Sequence, residues 1–167
     1  MARAALSELG LDRVLWIPTG SPGYRKPALA SPAQRIAMLE RAFGEEARYA
    51  IDERELAPDA SGYTVDTLRE LRRELGPGVE LFLLLGADQY AAFGQWRDPQ
   101  EVARLATPAV FARPGFRLEE KAVKQLSLPA MPVSASDIRA RIARGESIAS
   151  LVPPAVADYI AQHGLYR

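Results

Sequence analysis

The sequence predicts an α/β domain on a mostly parallel sheet, and three observations predict it. Apolar runs alternate with amphipathic ones along all 167 residues. The strongest run, Val79 to Leu85 (VELFLLL), lacks polar alternation, as expected of a strand buried on both faces beneath helices. Helix start and stop signals bracket the amphipathic segments. A parallel sheet covered by helices satisfies such an alternating pattern.

In chain order, Ala2 to Leu9 reads as a helix. Val14-Leu15-Trp16-Ile17 is short, apolar and rich in β-formers, and ends at Pro18, as a buried strand would. Ser31-Pro32-Ala33-Gln34 starts a helix with three agreeing signals: a capping serine, proline at the first helical position and glutamine closing a capping box. Ile36, Leu39 and Phe43 would form its inner face. Tyr49-Ala50-Ile51 is a weaker strand. A helix from Thr64 would turn Val65, Leu68, Leu71 and Leu75 inward and stop at Gly76-Pro77. Ala109 to Ala112 and Met131-Pro132-Val133 read as further strands. Helices follow over Ser134 to Arg144, with Ile138 and Ile142 inward, and over Pro154 to His163.

Composition narrows the function. Lys plus Arg equals Asp plus Glu at 21 each, so no net positive field exists to hold nucleic acid through counterion release. There is no cysteine, which excludes disulfides and thiolate chemistry, and the one histidine, His163, excludes a multi-histidine metal site. No apolar run approaches the roughly twenty residues of a membrane span, and no signal-peptide pattern is visible. The expectation is a cytoplasmic protein with neither membrane nor nucleic-acid partner, as monomer or homo-oligomer.

In open α/β sheets ligands bind beyond the carboxyl ends of the strands, which selects residues 18–27, 86–90, 113–116 and 134–139. Gly86 would let a ligand approach the backbone, and Asp88 would reach ribose hydroxyls or a base; on sequence alone a plain strand-to-helix turn capped by Asp88 is the better account of both. Serines at the start of the 134–144 helix leave amide N–H groups for a phosphate, with Arg139 one turn on; simple capping by Ser134 and Asp137 is the competing account. The loop from Pro18 to Pro27 ends in Arg25 and Lys26, cations for a phosphate or for solvent. Ser61-Gly62-Tyr63-Thr64 offers hydroxyls and a ring, or just a helix start. Trp96 lies outside any apolar stripe, as a stacking platform or as a satellite core residue under a loop. His163, in the last turn of a helix, reads as structural.

The order of these segments carries a resemblance. Ile17-Pro18 and a loop with Arg25, Gln34-Arg35, Met38-Leu39, Asp52-Glu53-Arg54-Glu55-Leu56, Tyr63-Thr64-Val65-Asp66-Thr67-Leu68, Leu85-Gly86-Ala87-Asp88, Trp96, Arg113-Pro114-Gly115, Ser134-Ala135-Ser136-Asp137-Ile138-Arg139 and His163-Gly164-Leu165-Tyr166 follow one another as in the nicotinate-nucleotide adenylyltransferases, which the chain resembles over essentially its whole length. The resemblance implies a Rossmann-like nucleotidyltransferase fold. It also implies attack of the nicotinate mononucleotide phosphate on the α-phosphate of ATP, with Mg²⁺ present, giving nicotinate adenine dinucleotide and pyrophosphate for NAD biosynthesis. By the family's pattern, ATP would meet Gly86, Asp88, Ser134, Ser136 and Arg139. Nicotinate mononucleotide would meet Arg25, Tyr63, Thr64, Trp96 and Arg113, with Trp96 stacked on the ring and Tyr63 and Thr64 near its carboxylate.

Two departures from the family stand out. Its pattern opens with a strand, a Gly-Gly-Thr/Ser-Phe-Asp-Pro turn and a His-x-Gly-His element whose histidines contact the ATP phosphates. Here Ala2 to Leu9 matches the helix that comes next. The expectation is one domain over residues 1–167 that lacks its first central strand and phosphate-binding turn, holds no catalytic histidine and is weakly active. Tyr24 also stands where the family has histidine. The rival readings are a nucleotide-binding pseudoenzyme, and a sister adenylyltransferase acting on another phosphorylated substrate; the Asp52 to Leu56 block and Trp96 oppose the latter.

Overall fold

The computed structural model describes residues 1–20, 29–112, 123–127 and 134–167. In order they form α1 (Ala2–Glu8), β1 (Val14–Trp16), α2 (Pro32–Phe43), β2 (Tyr49–Ile51), α3 (Thr64–Leu75), β3 (Phe82–Gly86), α4 (Ala87–Ala91), α5 (Pro99–Leu105), β4 (Thr107–Ala112), β5 (Lys124–Ser127), α6 (Ala135–Ala143) and α7 (Pro154–Gln162), with 3-10 turns at Arg54–Leu56 and Phe93–Gln95. They group into two compact units. One joins Met1–Val14 to Ser61–Met131, the other Leu15–Ala60 to Pro132–Arg167.

The first unit is built on the parallel sheet β3-β4-β5, with Leu84 opposite Ala109 and Phe111 opposite Leu126. Phe82, Leu84, Ala109, Phe111 and Leu126 share one face, and α1 closes it with the fully buried Ala5. Val110 alternates to the other face and is also fully buried, and α5, which packs on β4, also packs on α3. The strand buried on both faces is therefore β4, from Pro108 to Phe111. β3 is half-buried, because among the described residues it has a strand neighbour on one side only. It also starts at Phe82 rather than Val79. Residues 77–81 extend the turn that ends α3, where Arg72 donates to the Val79 carbonyl, and Val79 is 40% exposed.

α3 matches expectation at Val65, Leu68 and Leu71, each at most 6% exposed, but Leu75 is 44% exposed. Leu75 lies in the last turn, just before Gly76 ends the helix with a φ of +77°. The short strand β5 has one inward apolar residue, Leu126, and the alternating pattern gives no sign of it.

In the second unit β1 pairs with β2, and Trp16, Phe43 and Tyr49 cluster with ring centroids 5.2–5.9 Å apart. Ser31 caps α2 with the full predicted capping box: its hydroxyl accepts from the Gln34 amide while the Gln34 side chain accepts from the Ser31 amide. Ile36, Leu39 and Phe43 are half-buried. The unit's core is Ile148, Val156, Tyr159, Ile160 and Leu165, against which Met38 of α2 and Ile138 and Ile142 of α6 pack. His163 lies 4.1 Å from the Tyr159 ring, in keeping with a structural role. Among the described residues no helix is long and apolar enough to cross a membrane. The strand expected at Met131 to Val133 lies outside the described residues.

Candidate functional site

In the first unit the segment that carries Trp96 meets Tyr63 through Arg97. Gly62, buried with a φ of +68°, turns the chain into α3, and Tyr63 is the residue at the helix start. Neither Ser61 nor Thr64 caps the helix. The Ser61 hydroxyl instead accepts from the Tyr63 amide and donates to Asp66 at 2.8 Å. Asp66 in turn accepts from Arg69 at 3.0 Å. Arg69 also reaches Asp98 at 3.5 Å and Glu101 at 3.8 Å, which ties α3 to the start of α5 and the segment before it. That segment carries Trp96. The 3-10 turn at Phe93–Gln95 delivers it in extended conformation, and Asp98, with a φ of +49°, bends the chain into Pro99.

The half-buried Trp96 ring packs on Phe93 at 5.4 Å, and Phe93 stacks on Tyr90 at 5.7 Å, so two further rings back the indole. Arg97 places its guanidinium 4.6 Å over the Tyr63 ring. Pattern reading passes over Arg97; its signal is a cation directly after a tryptophan that has no apolar stripe to join.

Gly86 ends β3 and Asp88 sits in the first turn of α4. Gly86 itself, not Asp88, precedes the helix as its cap residue, so capping does not explain the aspartate. Gly86 has an ordinary φ of −77°, and a Cβ there would meet nothing within 4 Å.

The second unit holds the other candidates. At α6 the Ser134 hydroxyl accepts from the Asp137 amide at 3.1 Å and gives its own hydrogen to the Asp137 carboxylate at 2.6 Å. Ser134 is thus committed to a capping box, and Asp137 is held below the usual carboxylate range, chiefly by that hydroxyl. Ser136 is exposed and accepts from Arg139 at 3.3 Å. Removing the cap hydroxyl with Ser134→Ala should cost about 1 kcal/mol in thermal or urea unfolding. A carboxylate depressed on folding stabilises above its unfolded pKa, near 4, and stops doing so as pH falls through its folded value. The gap between wild type and S134A should therefore close on acidification through that window; a gap that stays constant would rule out the Asp137 linkage.

The Asp52 to Leu56 block has a structural account. Asp52 takes the Arg54 side chain at 2.7 Å and its amide at 3.0 Å. Burial alone would raise the Asp52 carboxyl, but the bonds from Arg54 outweigh it and hold it low. This pair fixes the Arg54–Leu56 turn, whose Glu55 carbonyl lies where a Gly20 Cβ would be, at 2.2 Å. Arg35 of α2 donates to the Thr19 carbonyl at 2.6 Å. The loop after β1 is therefore clamped from two sides. Arg35 also lines an apolar cleft of about 470 Å³ with Trp16, Met38, Leu39, Val152 and Val156. In that wall the Trp16 Nε1 and Arg35 Nε and Nη2 donors are buried without partners among the described residues. Tyr24, Arg25, Lys26 and Arg113 lie outside the described residues.

The parallel sheet β3-β4-β5 with helices packed on it fits the nucleotidyltransferase class. The cytidylyltransferase-like family matches residues 1–141, and the chain belongs to it. Within that class the chain is a nicotinate-nucleotide adenylyltransferase family member, a transferase. It is 41% identical to a protein of Chromobacterium violaceum named "probable nicotinate-nucleotide adenylyltransferase", over all of this chain and 90% of that one. It is 42% identical to a protein of the same name from Bordetella petrii, again over all of this chain and 90% of the relative. In fold it is similar to the Plasmodium falciparum nicotinic acid mononucleotide adenylyltransferase complexed with NaAD. There the TM-score is 0.80 and the identity 16%, over 99% of this chain and 88% of that one.

Proposed function

We propose that the chain transfers the adenylyl group of ATP to nicotinate mononucleotide. An oxygen of the mononucleotide phosphate bonds to the α-phosphorus of ATP while the bond to the bridging oxygen of the β-phosphate breaks, and pyrophosphate leaves. No group on the protein is adenylylated, so its tasks are alignment and stabilisation of developing phosphate charge.

In this reading Gly86 and Asp88 serve the nucleotide, and Ser136, Arg139 and the first amides of α6 meet ATP phosphates. Ser134 acts through the cap that orders that helix start. Trp96 stacks on the pyridine ring, with Tyr63 and Thr64 at its carboxylate; Arg25 approaches the mononucleotide phosphate, and Arg113 also meets the mononucleotide. Among the described residues no three His, Cys, Asp or Glu side chains group to hold a metal ion, so Mg²⁺ would arrive with ATP, on phosphate oxygens and water.

The observation that carries the reading is Gly86. Its backbone is unstrained and open space surrounds it, so nothing among the described residues calls for glycine at the end of β3. A ligand passing close to that backbone would. Gly86→Ala should leave the thermal midpoint unchanged or slightly raised, yet raise the KM for ATP about tenfold or more. The assay is pyrophosphate release with ATP, Mg²⁺ and nicotinate mononucleotide, run beside phosphopantetheine. An unchanged KM, or better use of phosphopantetheine by the wild type, would defeat the reading.

A further inference from the structure

We propose that Arg97 makes the site choose the acid over the amide: held over Tyr63 and next to Trp96, its guanidinium supplies the charge that a nicotinate carboxylate can pair with and a nicotinamide cannot. This rests on the reading that Trp96 and Tyr63 serve the pyridine ring.

Three observations support it. The first is position. The guanidinium lies 4.6 Å from the Tyr63 ring centroid, and its residue follows directly on Trp96 in the chain, so the charge stands beside the two residues to which the proposed function assigns the pyridine ring. The second is that the charge is unspent. The carboxylates around it are taken by other arginines: Asp66 and Asp98 by Arg69, at 3.0 and 3.5 Å, and Glu101 by Arg104 at 2.7 Å. Among the described residues Arg97 has no carboxylate partner, and a cation held over a ring keeps its full charge for a further partner. The third is pre-organisation. The Tyr63 ring fixes a side chain that would otherwise lose its rotamer freedom on binding, which makes a charge-assisted, two-pronged bond to a carboxylate less costly. Covering by the substrate would also take this exposed group out of water, where the same pair interacts more strongly.

A purely structural role, with Arg97 closing the loop onto α3, predicts a different outcome, and substitutions separate the two. The full chain is titrated with nicotinate mononucleotide and with nicotinamide mononucleotide, read by tryptophan fluorescence and by calorimetry; circular dichroism checks the fold of each variant. The wild type should prefer the acid. Arg97→Gln, which keeps length and polarity but not charge, should weaken acid binding about tenfold or more while amide binding stays as it was. Arg97→Lys should retain most of the preference, because it retains the charge. Equal loss for both ligands in R97Q, or an unchanged ratio, would assign Arg97 to loop structure and overturn the proposal, leaving the adenylyl-transfer reading intact. If the wild type binds neither mononucleotide, that reading fails and this one with it.

Discussion

Replacing Gly20 by alanine should destabilise the protein by about 2–3 kcal/mol, a fall of roughly 5–10 °C in the thermal midpoint by circular dichroism. The added methyl would sit 2.2 Å from the Glu55 carbonyl oxygen, well inside van der Waals contact. A flexible side-chain tip would swing away; this neighbour is backbone, and it is pinned. Leu56 donates to the Glu53 carbonyl at 2.8 Å, and the Asp52–Arg54 pair holds the same turn at 2.7 Å. The loop cannot retreat freely either, since Arg35 grips the Thr19 carbonyl one residue earlier. Gly78→Ala is the control. Its φ is ordinary and a Cβ there meets nothing within 4 Å, so the same substitution should be neutral or stabilising by a few tenths of a kcal/mol. Equal midpoints for G20A and wild type would mean that the close approach of the two backbones does not constrain the fold.

That clamp also shows what pattern reading can and cannot recover. Caps are local, and they were legible. Ser31 with Gln34 and Ser134 with Asp137 both form the reciprocal bonds that their spacing implies, because a capping box involves only residues three apart. The Asp52 to Leu56 block was visible as a family feature, but its backbone closes on Gly20, more than thirty residues away, and no local period encodes that. β5 was invisible for the same reason: Lys124-Gln125-Leu126-Ser127 is a strand because it pairs with β4, not because its residues prefer to be one. α5 is different. Asp98-Pro99 followed by Glu101, Val102 and Leu105 is a start signal with inward residues three apart, and it could have been read. On the candidate site, Trp96 and Tyr63 were singled out by their residue types. Arg97, which joins them, was not, since an exposed arginine in a loop has no sequence signature of its own.

Replacing Trp96 by alanine is expected to have the largest functional effect: a loss of about ten- to a hundredfold in affinity for nicotinate mononucleotide, with the KM for ATP little changed. The size follows from aromatic stacking, worth about 1–3 kcal/mol for a flat ring on a side chain that can present a face. The geometry gives Trp96 such a face. Phe93 backs it at 5.4 Å and Tyr90 backs Phe93 at 5.7 Å, while the indole stays half-buried rather than sealed in the core. A residue whose only task was packing would show itself differently. Its truncation would lower stability and impair both substrates together, and Trp96→Phe, which has a smaller ring, would repair stability and binding in step. As a platform, Trp96→Phe should recover most of the mononucleotide affinity even if the thermal midpoint remains low, because a benzene ring still offers a π-face. Calorimetric titration of wild type, W96A and W96F with each substrate separately decides between them. A parallel decline in ATP and mononucleotide binding that tracks the thermal midpoint across the three proteins would return Trp96 to the status of a loop anchor. A selective loss that phenylalanine restores would place the pyridine ring on the ladder of Tyr90, Phe93 and Trp96.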